Sequence, residues 1–142
     1  MIQTNELMIG NFVIIGKGTD FERISQIEEV YFNAVRLKGC ESMSYVTSIE
    51  PIHLCENLLV KNGFKKELLC SGNESFDDWV EYNKFVDNHY LSIRHCSNSI
   101  GRDWFIHIDN DYHCSVGGMD IEYVHQLQNA CRLFGIELDL NL

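Results

Sequence analysis

The sequence predicts an α+β protein with antiparallel sheets and one long helix near its C-terminus. Short apolar runs separated by turn residues fill roughly the first fifty positions, and longer strand-like runs follow residue 79. Residues 121–135 instead repeat apolar side chains at helical spacing. A chain of 142 residues with 45% hydrophobic residues can bury a sizeable core. We expect two regions, 1–64 and 65–142, which are either separate domains or parts of one compact unit.

The N-terminal region predicts a small barrel followed by a short helix. Its turn residues, such as Gly10-Asn11 and Gly16-Lys-Gly18, separate five strand-like runs: Leu7–Ile9, Phe12–Ile15, Phe21–Ile27, Val30–Leu37 and Met43–Ile49. Such a series fits an SH3-like barrel, and a β-meander is the alternative. Pro51 cannot donate to a sheet, and residues 56–63 then predict a helix that Gly63 ends. Cys55 is a poor N-cap for that helix.

The second region predicts an antiparallel sheet that carries the long helix. The polar stretch 65–78 is expected to be a loop, and the predicted strands are 79–86, 89–95, 103–109 and 112–116. Asp87-Asn88 and Asn110-Asp111 are expected to form turns, because Asn and Asp tolerate a left-handed backbone. Beyond the helix, apolar residues alternate with polar ones from Ile136 to Leu140 and predict a short final strand.

The long helix is expected to begin after Asp120 as its N-cap and to end at Gly135. One face is apolar and is expected to pack onto the second sheet: Val124, Leu127, Cys131 and Phe134. The opposite face carries the candidate binding residues His125, Gln126 and Asn129. Their side chains can form a hydrogen-bonding patch for a partner. The alternatives are an ordinary solvated face and internal bonds to the protein's own sheet.

The charge pattern excludes some classes of partner. The net charge of -10 is divided into -2 for residues 1–72 and -8 for residues 73–142. The largest basic cluster is Lys65-Lys66, so general nucleic-acid binding and binding to acidic membranes are disfavoured. The start of the chain resembles no signal peptide, no stretch is long and apolar enough for a membrane helix, and the six cysteines are widely spaced. We therefore expect reduced thiols and a cytoplasmic protein.

The acidic second half also permits an inhibitor that mimics nucleic-acid phosphates. This alternative requires one continuous acidic ridge formed by Asp77, Asp78, Glu81, Asp87, Asp109 and Asp111.

Enzyme chemistry has few candidate residues in this sequence. Alternating ligand-type residues give a weak metal site, His107, Asp109, Asp111 and His113, for which a polar hairpin face is the alternative. The adjacent pair His95-Cys96 would point to opposite faces of a strand. No C-x-x-C motif, phosphate-binding loop or G-x-S-x-G motif is present. A metal-dependent or Cys-His hydrolase is therefore the last alternative, and we assign no catalytic residue and no cofactor.

Three strings of the sequence are distinctive: residues 5–13 (NELMIGNFV), residues 49–54 (IEPIHL) with Asn62-Gly-Phe64, and residues 121–129 (IEYVHQLQN). Together they resemble a family of small uncharacterised proteins of Bacteroides and related gut bacteria, often encoded in prophages and other mobile elements. The chain departs from that pattern at Cys55, where a Thr cap is typical. The resemblance implies a bacterial or phage accessory protein and supplies no catalytic residue. We expect a non-enzymatic interaction protein with an unidentified protein partner.

Overall fold

The computed structural model describes residues 2–69, 79–96, 104–110 and 115–142. The chain divides into two compact units, Met1–His53 with Tyr123–Asn129, and Leu54–Glu122 with Ala130–Leu142. This division differs from the predicted boundary at residue 64, because the first short helix belongs to the second unit and residues 123–129 belong to the first. Within the described ranges, no helix is long and apolar enough to cross a membrane.

The first unit contains a five-stranded antiparallel sheet. Its strands are β1 (Phe12–Ile15), β2 (Arg23–Val30), β3 (Ala34–Leu37), β4 (Met43–Tyr45) and β5 (Ile49–Glu50). They lie in the order β4-β3-β2-β1-β5. The first half of β2 pairs with β1 and its second half with β3, with a register irregularity between Ile27 and Glu29. A cluster of buried apolar side chains forms the core: Ile2, Leu7, Val13, Ile27, Val35, Leu37, Val46 and Ile49.

Three strand predictions in this unit are wrong. The predicted strand 30–37 is divided, because Val30 ends β2 and β3 begins only at Ala34. Residues 7–9 form no strand, because the side chain of Asn11 accepts a hydrogen bond from the Met8 amide at 2.7 Å and folds this stretch into a turn. The predicted strand 43–49 is interrupted by a 3-10 turn at Val46–Ser48. The Ser48 hydroxyl donates to the Tyr45 carbonyl at 2.7 Å and stabilises that turn.

The second unit contains another five-stranded antiparallel sheet. Its strands are β6 (Lys65–Leu69), β7 (Trp79–Val86), β8 (His89–Cys96), β9 (Trp104–Asn110) and β10 (Ser115–Ile121), in the order β10-β9-β8-β7-β6. The predicted antiparallel sheet is confirmed. The predicted loop 65–78 is wrong at its start, because Lys65–Leu69 pair with β7. The rest of that loop lies outside the described residues.

The turn between β7 and β8 forms as predicted. Asp87 and Asn88 have φ angles of 47° and 64°. Positive φ at both central residues is the geometry that a two-residue hairpin turn of type I′ requires. The second predicted turn, Asn110-Asp111, is not described in full: Asn110 ends β9, and Asp111 lies outside the described residues.

The short helix α1 spans Glu56–Lys61. Cys55 is its N-cap and makes no side-chain capping bond, as the sequence predicts. Gly63 adopts a φ of 81°, and the amide of Phe64 donates to the carbonyl of Leu59 at 3.1 Å. A left-handed glycine followed by this backbone bond is the Schellman motif, so the C-terminus of α1 is predictable from Gly63 alone.

The long helix α2 spans Val124–Leu133. Asp120 does not cap it, because β10 continues to Ile121 and Asp120 is part of that strand. The C-terminus is as predicted, with Gly135 at a φ of 72° and the Ile136 amide donating to the Cys131 carbonyl at 3.0 Å. Three residues of the predicted apolar stripe are buried, and Phe134 is partly buried.

The predicted final strand does not form, although its alternation is confirmed. Ile136, Leu138 and Leu140 are buried, whereas the residues between them are exposed. The backbone of Asn141 finds partners in one side chain: its amide donates to Asn62 Oδ1 at 2.7 Å, and its carbonyl accepts from Asn62 Nδ2 at 3.2 Å. A side-chain amide therefore replaces the neighbouring strand for this residue.

Candidate interaction site

The predicted binding patch at the start of α2 is largely enclosed within the first unit. His125 is 0% exposed, and Gln126 and Asn129 are partly buried. The expectation that all three share a solvated face is therefore wrong for His125. The cause is the N-terminal segment, whose Glu6 carboxylate lies 3.7 Å from the His125 ring on the side that the sequence assigns to solvent.

Asn129 is held by two hydrogen bonds to the N-terminal segment. Its Oδ1 accepts from Asn11 Nδ2 at 2.9 Å, and its Nδ2 donates to the Glu6 carbonyl at 2.7 Å. Asn11 is fully buried, and its Oδ1 accepts from the Met8 amide. Both amide side chains thus have partners inside the unit, and this network orders the turn before β1. Binding by His125, Gln126 and Asn129 stays a prediction.

The side chain of Gln128, one residue before Asn129, also forms hydrogen bonds to the N-terminal part of the chain. Sequence reasoning missed this residue. Its Oε1 accepts from the Phe12 amide at 3.1 Å, and its Nε2 donates to the Gly10 carbonyl at 3.2 Å. The side chain therefore imitates a strand partner for the backbone beside β1. The signal in the sequence is its helical spacing, four residues after apolar Val124 and three before Cys131, because a Gln there is carried partly into the core.

His125 is a buried imidazole without a hydrogen-bond partner for either ring nitrogen among the described residues. Burial lowers its pKa below the ordinary value of 6.5, and the nearby Glu6 carboxylate opposes that change. The ring stacks on Tyr123 with centroids 5.6 Å apart and planes inclined by 7°. This setting favours the neutral imidazole.

The weak metal candidates are only partly described. His107 and Asp109 lie together on β9, with His107 Nε2 3.0 Å from Asp109 Oδ1. Asp111 and His113 lie outside the described residues. In the part of the chain that the structure describes, no group of three or more His, Cys, Asp or Glu side chains could hold a metal ion. This region thus offers a single His-Asp pair.

Glu81 belongs to an internal network instead of an acidic surface ridge. It is 8% exposed, and its carboxylate accepts hydrogen bonds from Ser92 at 2.5 Å, Arg94 at 2.7 Å and Asn83 at 3.1 Å. Burial raises the pKa of Glu81, but these three donors together hold it below its ordinary value. The proposed ridge therefore lacks Glu81, and Asp77, Asp78 and Asp111 lie outside the described residues.

One of the described cysteines contacts a cation, because the Arg23 guanidinium donates to Cys40 Sγ at 3.0 Å. Cys40, Cys55 and Cys131 are free thiols. Burial raises the pKa of Cys131 to about 12, which keeps it protonated at neutral pH. His95, one residue of the predicted His95-Cys96 pair, packs its ring on Trp104 with centroids 4.3 Å apart.

The first unit presents an open groove lined by aromatic side chains, which we call the aromatic groove. It has a volume of about 490 Å³ and is lined by Tyr31, Asn33, Ala34, Met43 and Tyr45. Ala34 pairs with Tyr45 across β3 and β4, and on its other side its carbonyl accepts from the Tyr31 amide at 2.8 Å. These pairings place the small residue Ala34 next to both tyrosines of the groove.

The walls of the aromatic groove are exposed to solvent. Tyr31 is 52% exposed and Tyr45 65%, and Phe32 at the tip of the β2–β3 hairpin is 95% exposed. Single exposed apolar residues are ordinary, whereas several large ones close together are a feature often found at interaction surfaces. Sequence reasoning missed this site, because Tyr31 and Tyr45 are fourteen positions apart and only strand register brings them together.

Comparisons of the chain with protein-family models, with curated proteins and with solved structures found no match.

Proposed function

We propose that this chain is a non-enzymatic interaction protein, and that its first unit binds a protein partner through the aromatic groove. The observation that carries the proposal is the exposure of Tyr31 and Tyr45, which line one groove, and of Phe32, which follows Tyr31 in the chain. Tyrosine supplies a large contact area at a low entropic cost and is enriched at protein interfaces. The resemblance to mobile-element proteins supports a cytoplasmic accessory role in a bacterium or phage.

We further propose that the first unit is an SH3-like barrel. Two features support this fold: the strand order β4-β3-β2-β1-β5, and the 3-10 turn Val46–Ser48 between the last two strands. The register irregularity in β2 is a third feature that supports a barrel. Such irregularities bend a strand, and a bent strand can pair within two sheets. The aromatic groove lies on the β2–β3–β4 side of this arrangement.

The test is site-specific crosslinking in the native host. A photoreactive phenylalanine analogue replaces Phe32, which is exposed beside the groove, and in a matched control it replaces Phe85, which is 60% exposed on β7. We expect a discrete protein adduct from position 32 that is absent from position 85. Adding Tyr45→Ala should abolish the adduct, whereas Leu133→Ala, an exposed change on α2, should leave it intact.

Two results would contradict the proposal. One is an identical set of adducts from both crosslinker positions, which would indicate nonspecific contact. The other is a position-32 adduct that survives Tyr45→Ala, because a partner seated in the groove must lose contact when one wall is removed.

A further inference from the structure

We infer that the aromatic groove accepts a positively charged side chain, lysine or arginine, from the partner protein. This inference rests on the proposed function and adds the chemistry of the bound residue. Tyr31 and Tyr45 both line the groove together with Ala34, and Met43 lines it from the opposite end of β4 to Tyr45. A groove lined by two tyrosines suits a flat guanidinium or an ammonium group, since cations are attracted to the electron-rich faces of aromatic rings.

The charge beside the groove favours a cation over a neutral apolar group. The Tyr31 hydroxyl donates to Glu29 Oε2 at 2.6 Å, which places a carboxylate at the edge of one wall. The hydrogen bond to Glu29 and its negative charge raise the pKa of Tyr31, so this wall stays a neutral phenol. None of the five described residues that line the groove is a lysine or an arginine.

The Glu29 carboxylate already forms an ion pair with Arg36. Arg36 donates to Glu29 Oε1, the other oxygen of the carboxylate, and both side chains are partly exposed. This ion pair reduces the charge of Glu29 and leaves Oε2 to Tyr31. Residues 1–72, which include the groove, carry a net charge of -2, so this part of the chain has no excess of positive charge that would repel a basic segment. Charge complementarity therefore selects a basic partner over a proline-rich neutral one, although both suit an aromatic surface.

The test is a titration of the full chain with capped tripeptides, followed by NMR of its backbone amides. The peptides carry lysine, arginine, norleucine or proline between two glycines, and norleucine matches the lysine stem without its charge. We expect the amides of Tyr31, Ala34 and Tyr45 to shift with lysine and arginine. Binding should be roughly twofold to thirtyfold tighter than for norleucine or proline. Added salt should weaken it.

Two wall variants separate ring chemistry from general apolar contact. Tyr45→Phe keeps the aromatic face and should preserve the preference for lysine and arginine, whereas Tyr45→Leu keeps only apolar bulk and should remove it. Glu29→Gln should reduce the preference without abolishing binding. Equal binding of norleucine and lysine would overturn the inference, as would an unchanged preference in Tyr45→Leu.

The inference and the proposed function fail in different ways. If Tyr45→Ala abolishes the crosslinked adduct but basic peptides show no preference, the groove binds a partner of other chemistry and only the inference is wrong. If basic peptides bind selectively but the adduct survives Tyr45→Ala, the groove recognises cations and the proposed function is wrong.

Discussion

Asn11 and Asn129, which are 118 residues apart in the sequence, share a side-chain hydrogen bond of 2.9 Å within the first unit. Asn11 also accepts from the Met8 amide, and Asn129 donates to the Glu6 carbonyl. The pair therefore links the turn before β1 to the first part of α2. Its position indicates that the polar residues of α2 serve the fold of the first unit, whether or not they also bind a partner.

Asn129→Ala should lower the free energy of unfolding by about 1–3 kcal/mol, because it leaves the fully buried Asn11 without an acceptor. Urea unfolding measures this change. Leu133→Ala on the same helix is the control and should cost less than about 0.5 kcal/mol, since Leu133 is exposed. Equal costs for the two variants would show that the pair does not stabilise the unit.

Below pH 6.5, the free energy of unfolding should decrease as the pH falls, because of the buried His125. Burial lowers the pKa of the folded imidazole below 6.5, so in this range the unfolded chain binds the proton more readily. The stabilisation from neutral His125 is complete above 6.5 and is lost as the pH falls toward the lowered pKa. His125→Gln should flatten this part of the curve of unfolding free energy against pH.

Glu6→Gln provides a second test of the same group, with the opposite sign. The Glu6 carboxylate raises the pKa of His125 and so limits the effect of burial. Removing its charge should lower that pKa further and steepen the loss of stability below pH 6.5. A slope that neither variant changes would assign the pH dependence to other groups.

Glu81→Gln should destabilise the second unit at neutral pH by about 1–3 kcal/mol, because the carboxylate accepts three hydrogen bonds in a buried position. The pKa of Glu81 lies below its ordinary value of 4.5, so its stabilisation is present above 4.5 and is lost as the pH falls through the lowered pKa. The difference between wild type and Glu81→Gln should therefore shrink near pH 3.

The control for this prediction is Glu50→Gln. Glu50 forms an ion pair with Lys17 at 2.6 Å, but both side chains are about half exposed. Exposed pairs contribute little to stability. Thermal unfolding of the two variants at pH 7 should therefore show a clear loss for Glu81→Gln and almost none for Glu50→Gln.

Cys131 should resist alkylation in the native protein, since it is fully buried and its pKa is raised to about 12. Cys55 is exposed and should react with iodoacetamide at pH 8. Peptide mapping by mass spectrometry distinguishes the two sites. Both should be modified in urea, and rapid labelling of Cys131 without denaturant would show that the end of α2 opens readily.

Local chemistry explains the parts of the fold that sequence reasoning predicted correctly. Gly63 and Gly135 ended their helices with positive φ, and Asp87-Asn88 formed the expected turn. These features depend on the backbone preferences of a few adjacent residues. The alternation from Ile136 to Leu140 also predicted burial correctly, although no strand forms there.

The burial of side chains on α2, in contrast, did not follow from local sequence preference. Its sequence has an apolar and a polar face, which predicts one buried side and one exposed side. His125 is nevertheless fully buried, because Glu6 and its neighbours lie against the polar face. The amides of Gln128 and Asn129 found their partners in backbone and side-chain groups more than a hundred residues away. Helical periodicity contains no information about such a distant segment.

The sequence by itself therefore determined the α+β class, the Asp87-Asn88 turn and the C-terminal ends of the two helices, because those follow from local conformational preference. Only the tertiary structure decided which polar groups are internal and which aromatic residues form a surface. Tyr45 pairs with Ala34 because β3 and β4 pair in this register, and Tyr31, which follows β2, donates its amide to the Ala34 carbonyl. A shift of one residue in that pairing would send the side chains to opposite faces, so the groove is a property of strand register.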